Sequence, residues 1–156
     1  MAWKEMNVDE IVSGAQGELF MLLEGRRIPI AQGKKIEAKM EKKKTEIPVL
    51  GKSGKKSKTT SWTGKGSLEI YYNTSIFREL AIQYIKDGKD FYFDIVVTNE
   101  DKTSTIGRQT IILKGCNFDS IILAKIATED DTLSEEMEFT FEDVEMPEKF
   151  KDMERA

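Results

Sequence analysis

In Asp90-Phe91-Tyr92-Phe93-Asp94-Ile95-Val96-Val97, apolar Phe91, Phe93, Ile95 and Val97 fall on every second residue, and Asn99-Glu100-Asp101 ends the run. That is the period of a β-strand with one covered face. The same period recurs on both sides. Upstream, Ile36, Ala38 and Met40 alternate with Lys35, Glu37, Lys39 and Glu41. Leu68, Ile70 and Tyr72 oppose Lys65, Ser67, Glu69 and Tyr71 in a strand that Trp62 opens. Downstream, Met137, Phe139 and Phe141 alternate with Glu138, Thr140 and Glu142, until Pro147 stops the run. Glu18–Glu24 is a short apolar run expected to be covered on both faces. Gln109–Lys114 reads as a strand interrupted by Gly115, as a bulge would do. Phe118–Ala127 continues in β-rich composition.

One segment has the helical period. Phe77, Leu80, Ala81, Tyr84 and Ile85 recur on one side, Thr74 and Ser75 can cap the start, and Gly88 sits at the C′ position. This stripe is expected to face the core. The whole reads as mainly β, a sandwich or barrel of about seven strands with one flanking α-helix. The 156 residues fit a single domain, 1–156. Within it, 1–17 reads as an N-terminal arm, 42–61 as a long lysine-rich inter-strand loop, and 148–156 as a charged C-terminal tail. The loop carries Pro48, Gly51 and Gly54, and only Ile47, Val49 and Leu50 are apolar in it. It is expected to be mobile in the free subunit, because it buries too little to offset its ordering entropy.

Chemistry is sparse. There is no histidine and one cysteine, Cys116, so an ordinary zinc site, a Cys–His nucleophile and an intrachain disulfide are all excluded. Cys116 reads as a small buried hydrophobe. Gly64-Lys65-Gly66 and Gly51-Lys52-Ser53-Gly54 lack the strand–loop–helix setting of a phosphate loop. Asp130-Asp131 lacks the ligand spacing of a calcium site, and Glu138 and Glu142 read as the solvated face of a strand. No catalytic, metal-binding or cofactor-binding residues are expected. The N-terminus has no apolar stretch of a signal peptide, and no apolar run is long enough to span a bilayer, so no membrane partner is expected.

Charge is unevenly spread. Lys34 to Lys65 holds eleven lysines against three glutamates, while Glu129 to Ala156 holds twelve acids against three bases. Such a dipole suits head-to-tail association of identical subunits. Nonspecific nucleic-acid binding by Lys52, Lys55, Lys56 and Lys58 is the alternative, but only Trp62 lies nearby for base stacking.

Several stretches also resemble a known family. They are Tyr72-Asn73-Thr74-Ser75-Ile76-Phe77-Arg78, Phe91-Tyr92-Phe93-Asp94-Ile95, Thr98-Asn99-Glu100-Asp101, Gly107-Arg108-Gln109-Thr110 and Glu135 to Asp143, followed by Glu145-Met146-Pro147-Glu148-Lys149-Phe150. They are similar to the tail tube proteins of contractile-tailed phages and phage-like particles of Gram-positive bacteria. The resemblance runs over nearly the whole chain and is loosest in the first forty residues. It implies a virion structural protein without enzymatic activity or cofactor. Six subunits would form a ring and rings would stack into a tube through which DNA passes in transit. Sheath, baseplate and tape-measure proteins would be partners, with assembly in the host cytoplasm. The secreted tube protein of type VI machines shares the architecture and is the alternative within this class. The resemblance places a ring-stacking loop at 42–61. Ile47, Val49 and Leu50 would anchor it, and Lys52, Lys55, Lys56 and Lys58 would meet acidic residues such as Glu129–Asp131 or the C-terminal tail. The polar strand faces are expected to line the channel, with Glu37, Glu41, Ser67 and Glu69 as lumen-facing candidates beside Lys35, Lys39 and Lys65.

Overall fold

The computed structural model describes residues 17–30, 33–51, 54–129 and 132–151. The expected N-terminal arm up to residue 16, Lys52, Asp130-Asp131 and the last five residues of the tail lie outside the described residues. The described residues form eight strands and one helix: β1 (Gly17–Leu23), β2 (Arg26–Pro29), β3 (Gly33–Pro48), β4 (Lys55–Tyr71), α1 (Ile76–Asp87), β5 (Phe93–Glu100), β6 (Arg108–Phe118), β7 (Ser134–Phe141) and β8 (Asp143–Glu148). The pairing order is β2-β1-β5-β6-β7-β4-β3, with β8 on β6. All pairs are antiparallel. The order is open, since β2 pairs only β1 and β3 pairs only β4 among the described residues. Among the described residues the strand order does not close into a barrel.

Contacts divide the chain into two units. The first holds β1, β2, β5, β8 and most of β6. Its core is Met21, Leu23, Ile30, Phe93, Ile95, Leu113 and Cys116. The expected bulge is present: Phe93 pairs Cys116 and Ile95 pairs Leu113, so β6 carries the extra residue. Gly115 takes φ +65 there, a left-handed conformation that favours glycine. In β1 only Met21 and Leu23 are fully buried, so the run is not covered on both faces. The last strand was expected to end before Pro147, yet β8 includes it. Proline is tolerated because it stands at the irregularity between the Thr110 and Ile112 pairings, on a strand that pairs only β6.

The second unit holds β3, β4, α1, β7 and the last two residues of β6. Its core is Leu68, Ile70, Phe77, Phe118, Met137, Phe139 and Phe141. Phe118 meets Phe77 edge-on at 5.5 Å and Phe139 at 6.4 Å. Gly88 closes α1 at φ +69, and its N–H donates to Tyr84 O. Ser75 is the N-cap residue but makes no side-chain capping bond. Only the first part of the expected apolar stripe reaches the core. Phe77 is buried, whereas Tyr84 and Ile85 are exposed. The segment after Phe118 is not a strand: Asp119–Ala127 has no regular structure.

The largest correction concerns 42–61. It is not a loop. β3 and β4 run through it as one hairpin, paired from Gly33↔Ile70 to Pro48↔Lys55. Composition suggested a loop because almost nothing there is buried. The cross-strand ladder satisfies the backbone polar groups without burial, and Thr45, Ile47, Thr59 and Thr60 favour extended backbone.

Candidate assembly face

Pairing register sets which side chains share a face. Lys35, Glu37, Lys39 and Glu41 of β3 lie opposite Glu69, Ser67, Lys65 and Thr63 of β4. Strand β7 continues this face, with Glu69↔Glu136, Ser67↔Glu138 and Lys65↔Thr140. Opposite charges interleave. Lys35 pairs Glu37 at 3.6 Å and Lys39 pairs Glu41 at 3.2 Å along β3. Lys34, the extra residue at a register shift, reaches Glu69 at 3.5 Å. These pairs are exposed and worth roughly 0–1 kcal/mol each, so their effect is to balance charge more than to stabilise. An open basin on this face is lined by Glu37, Lys39, Glu41, Lys65, Ser67, Asp119 and Glu138.

The other face of the same three strands is apolar. Leu68, Met137, Phe139 and Phe141 are buried there. Two glycines make room for the rings. A Cβ on Gly64 would stand 2.5 Å from Phe141, and one on Gly66 would stand 2.4 Å from Phe139 and 2.8 Å from the Glu37 carbonyl. Gly64-Lys65-Gly66 is thus a packing device. Its signal in the sequence was two small residues on a strand opposite two phenylalanines.

Beyond Trp62, which sits 6.2 Å from the Phe141 ring, the hairpin has no third strand among the described residues. Lys42–Pro48 and Lys55–Ser61 form a two-stranded ribbon exposed on both sides. Of the expected stacking residues, Ile47, Lys55, Lys56 and Lys58 lie on the ribbon, and Val49 and Leu50 lie at its turn. Leu50 is wholly exposed and Ile47 is 41% exposed. Gly51 turns the chain at φ +78. Glu37, Glu41, Ser67 and Glu69 all fall on the polar face. Glu138, expected on a solvated strand face, joins them there, as do Asp119 and Glu136, which were missed because register across three strands cannot be read from one strand's alternation.

Arg78 of α1 fixes this unit internally. Its guanidinium pairs Glu135 at 2.9 Å, donates to Ile122 O at 3.1 Å and to Thr74 O, and stacks 4.4 Å from the Tyr72 ring centre. Glu135 is 1% exposed, so the pair is desolvated. Among the described residues, no cluster of His, Cys, Asp and Glu could hold a metal ion.

Comparison with known proteins bears on the same question. The family model described as phage tail tube protein matches residues 4–148. The chain belongs to this family. Its role is that of a structural protein of the phage tail. Phage-like element PBSX protein XkdM of Bacillus subtilis (strain 168) is 38% identical over 152 residues, covering 97% of this chain and 99% of the relative. Chains of two solved assemblies share this fold at low identity. One is the baseplate of the anti-feeding prophage, with TM-score 0.63, 12% identity, and 84% of this chain and 91% of that chain covered. The other is the sheath–tube complex of the extracellular contractile injection system PVC, with TM-score 0.61, 14% identity, and 89% and 93% covered.

Proposed function

We propose that this chain forms the wall of a phage tail tube, as sixfold rings stacked into a conduit for DNA. Family membership and a polar face of interleaved charges, set back-to-back with a buried apolar face, support this reading. The single observation that carries it is the long open edge of β3. This edge strand of 16 residues pairs only β4 among the described residues. Such an edge templates pairing with another chain. In a ring, each copy's sheet would continue into the next and remove the edges. The lysines along β3 would disfavour random pairing of free subunits.

In this reading Glu37, Glu41, Ser67 and Glu69 line the channel with Lys35, Lys39 and Lys65. Glu37 and Glu41 engage Lys35 and Lys39, and Asp119, Glu136 and Glu138 add further acid to this face, so a passing polyanion meets few free cations that could grip it. The subunit needs no cofactor and performs no reaction. Sheath, baseplate and tape-measure proteins complete the tail, which assembles in the host cytoplasm. Concentrated purified protein should show rings or tubes of constant diameter by negative-stain microscopy. A protein that stays monomeric at millimolar concentration, with and without a nucleating baseplate, contradicts the reading.

A further inference from the structure

Beyond Phe118 the chain keeps the line of β6 but not its ladder. β6 pairs β7 at Asn117↔Thr140 and Phe118↔Phe139, and the next step of this antiparallel register sets Asp119 beside Glu138. That step is made, since the Asp119 N–H donates to Glu138 O at 2.8 Å. Continued, the register would set Ile121 beside Glu136 and Ile122 beside Glu135. Two cations keep the segment close to that line. Arg78 holds the Glu135 carboxylate at 2.9 Å and the Ile122 carbonyl at 3.1 Å at the same time. Lys125 donates to Ser134 O at 2.7 Å. Asp119–Ala127 therefore follows the outer edge of β7, yet it has no regular structure.

β7 is left half-paired. It pairs β4 from Ser134 to Phe141, whereas β6 covers only Phe139 and Thr140. From Ser134 to Met137 its outer edge has no ladder among the described residues. The segment beside this edge has a strand's composition, with β-branched Ile121, Ile122 and Ile126. Leu123 is 52% exposed and Ile126 is 92% exposed. An apolar, β-forming sequence thus stands next to an unfilled strand position. A strand at the rim of a sheet engages the backbone groups of alternate residues only, and the others still face water. Such a rim would also offer the free subunit a second edge for indiscriminate pairing.

We propose, resting on the tube reading, that Asp119–Ala127 is a reserve strand. It is irregular in the free subunit and zips onto β7 when the β3 edge of a second copy reaches its far side. β3 suits that side in three respects. It is an edge strand of 16 residues, longer than the segment. Its outer edge pairs nothing among the described residues. Its Glu37, Lys39 and Glu41 line the same polar face as Asp119 and Glu138, so the sheet would continue without inverting its faces. With strands on both sides, the segment's backbone groups would all be engaged. Lys125 gates the change, because it occupies the Ser134 carbonyl that a ladder reaching the start of β7 would use.

The backbone of this segment in the two states is the test. In the free subunit at low concentration, NMR should show irregular secondary shifts for Ser120–Lys125. In tubes, magic-angle-spinning NMR should show strand shifts there. Amide protection factors of Ile121–Leu123 should rise at least ~100-fold from free subunit to tube, as for amides that enter a paired strand. Ala124→Pro removes an N–H that lies outside any ladder of the free subunit. It should leave urea unfolding of the free subunit unchanged and raise the critical concentration for tube growth at least ~10-fold. Ala124→Ser should polymerise as the wild type does. Should the proline also weaken the free subunit, the wild-type shifts and exchange decide alone. Tubes in which Ser120–Lys125 stays irregular and exchanges fast, a protected strand already present in the free subunit, or a stable A124P that polymerises like wild type would each overturn the reserve strand while leaving the tube reading standing. Wild-type protein that forms neither rings nor tubes would overturn both.

Discussion

Gly66 lies between the Phe139 ring and the Glu37 carbonyl, with no room for a methyl group. The aromatic ring can tilt, but the carbonyl belongs to a paired strand and cannot move freely. Gly66→Ala should therefore cost about 1–3 kcal/mol in urea unfolding, the range for overpacking a closely filled site. A Gly66→Ala protein as stable as wild type would show that the strands are spaced more loosely. Arg78 gives a larger effect by another mechanism. Arg78→Ala would strand the carboxylate of Glu135 in the core, and breaking a desolvated pair costs ~3–5 kcal/mol. Glu135 Oε1 already lacks a hydrogen-bond partner among the described residues, so little is left to compensate. Cys116 is a passive member of the core. Burial pushes its thiol up to about 12, so it stays protonated at neutral pH. A thiol reagent at pH 8 should label it only when the protein unfolds, and rapid labelling of folded protein would contradict its burial.

Strands with one buried face were legible because their alternation is written in single residues: Phe93 and Ile95, Leu68 and Ile70, Met137 and Phe139 are all buried. The ribbon was not legible, because an exposed hairpin is held by backbone pairing that leaves little trace in hydropathy. Short β2 was missed for the same reason, with its pattern of exposed residues. The exposed end of the α1 stripe shows a different limit. Periodicity marks an apolar face but does not say what covers it, and Tyr84 and Ile85 are exposed among the described residues. Among the site residues, the face of Glu37, Glu41, Ser67 and Glu69 was legible from alternation. β8 carries a pH-dependent device. Glu148 accepts from Arg108 Nε at 2.6 Å, and that hydrogen bond is the main cause holding its carboxyl below the usual range. A depressed carboxyl contributes stability above its unfolded value of 4.5, and that contribution is lost as pH falls through the lower folded value. Amide protection factors in β8, the observed exchange corrected for its intrinsic pH dependence, should fall as acid is added below that unfolded value, and the E148Q variant should lose this response. Identical acid profiles for the two proteins would remove Glu148 from the docking of β8.

For the whole molecule, the subunit presents an open edge at β3, a polar face of interleaved charges and a lysine-rich ribbon. The sequence shows the polar alternation and the lysine excess but neither the edge nor the ribbon. The charge dipole of the chain predicts assembly that slows as salt rises, because exposed charges more than ~8–10 Å apart are screened at physiological ionic strength. Turbidity or light scattering during tube growth at increasing sodium chloride checks this. Acceleration by salt would mean that apolar contacts such as Leu50 and Ile47 dominate stacking. The family resemblance was legible over nearly the whole chain, whereas the polar face that a tube would turn inward required the register of three strands. A helical reconstruction of tubes grown from the pure protein tests that face most directly. Glu37, Glu41 and Ser67 should project into the channel, with β3 of each copy hydrogen-bonded along its outer edge to a neighbour. A reconstruction with these side chains buried between subunits, or with the β3 edge facing solvent, would contradict it.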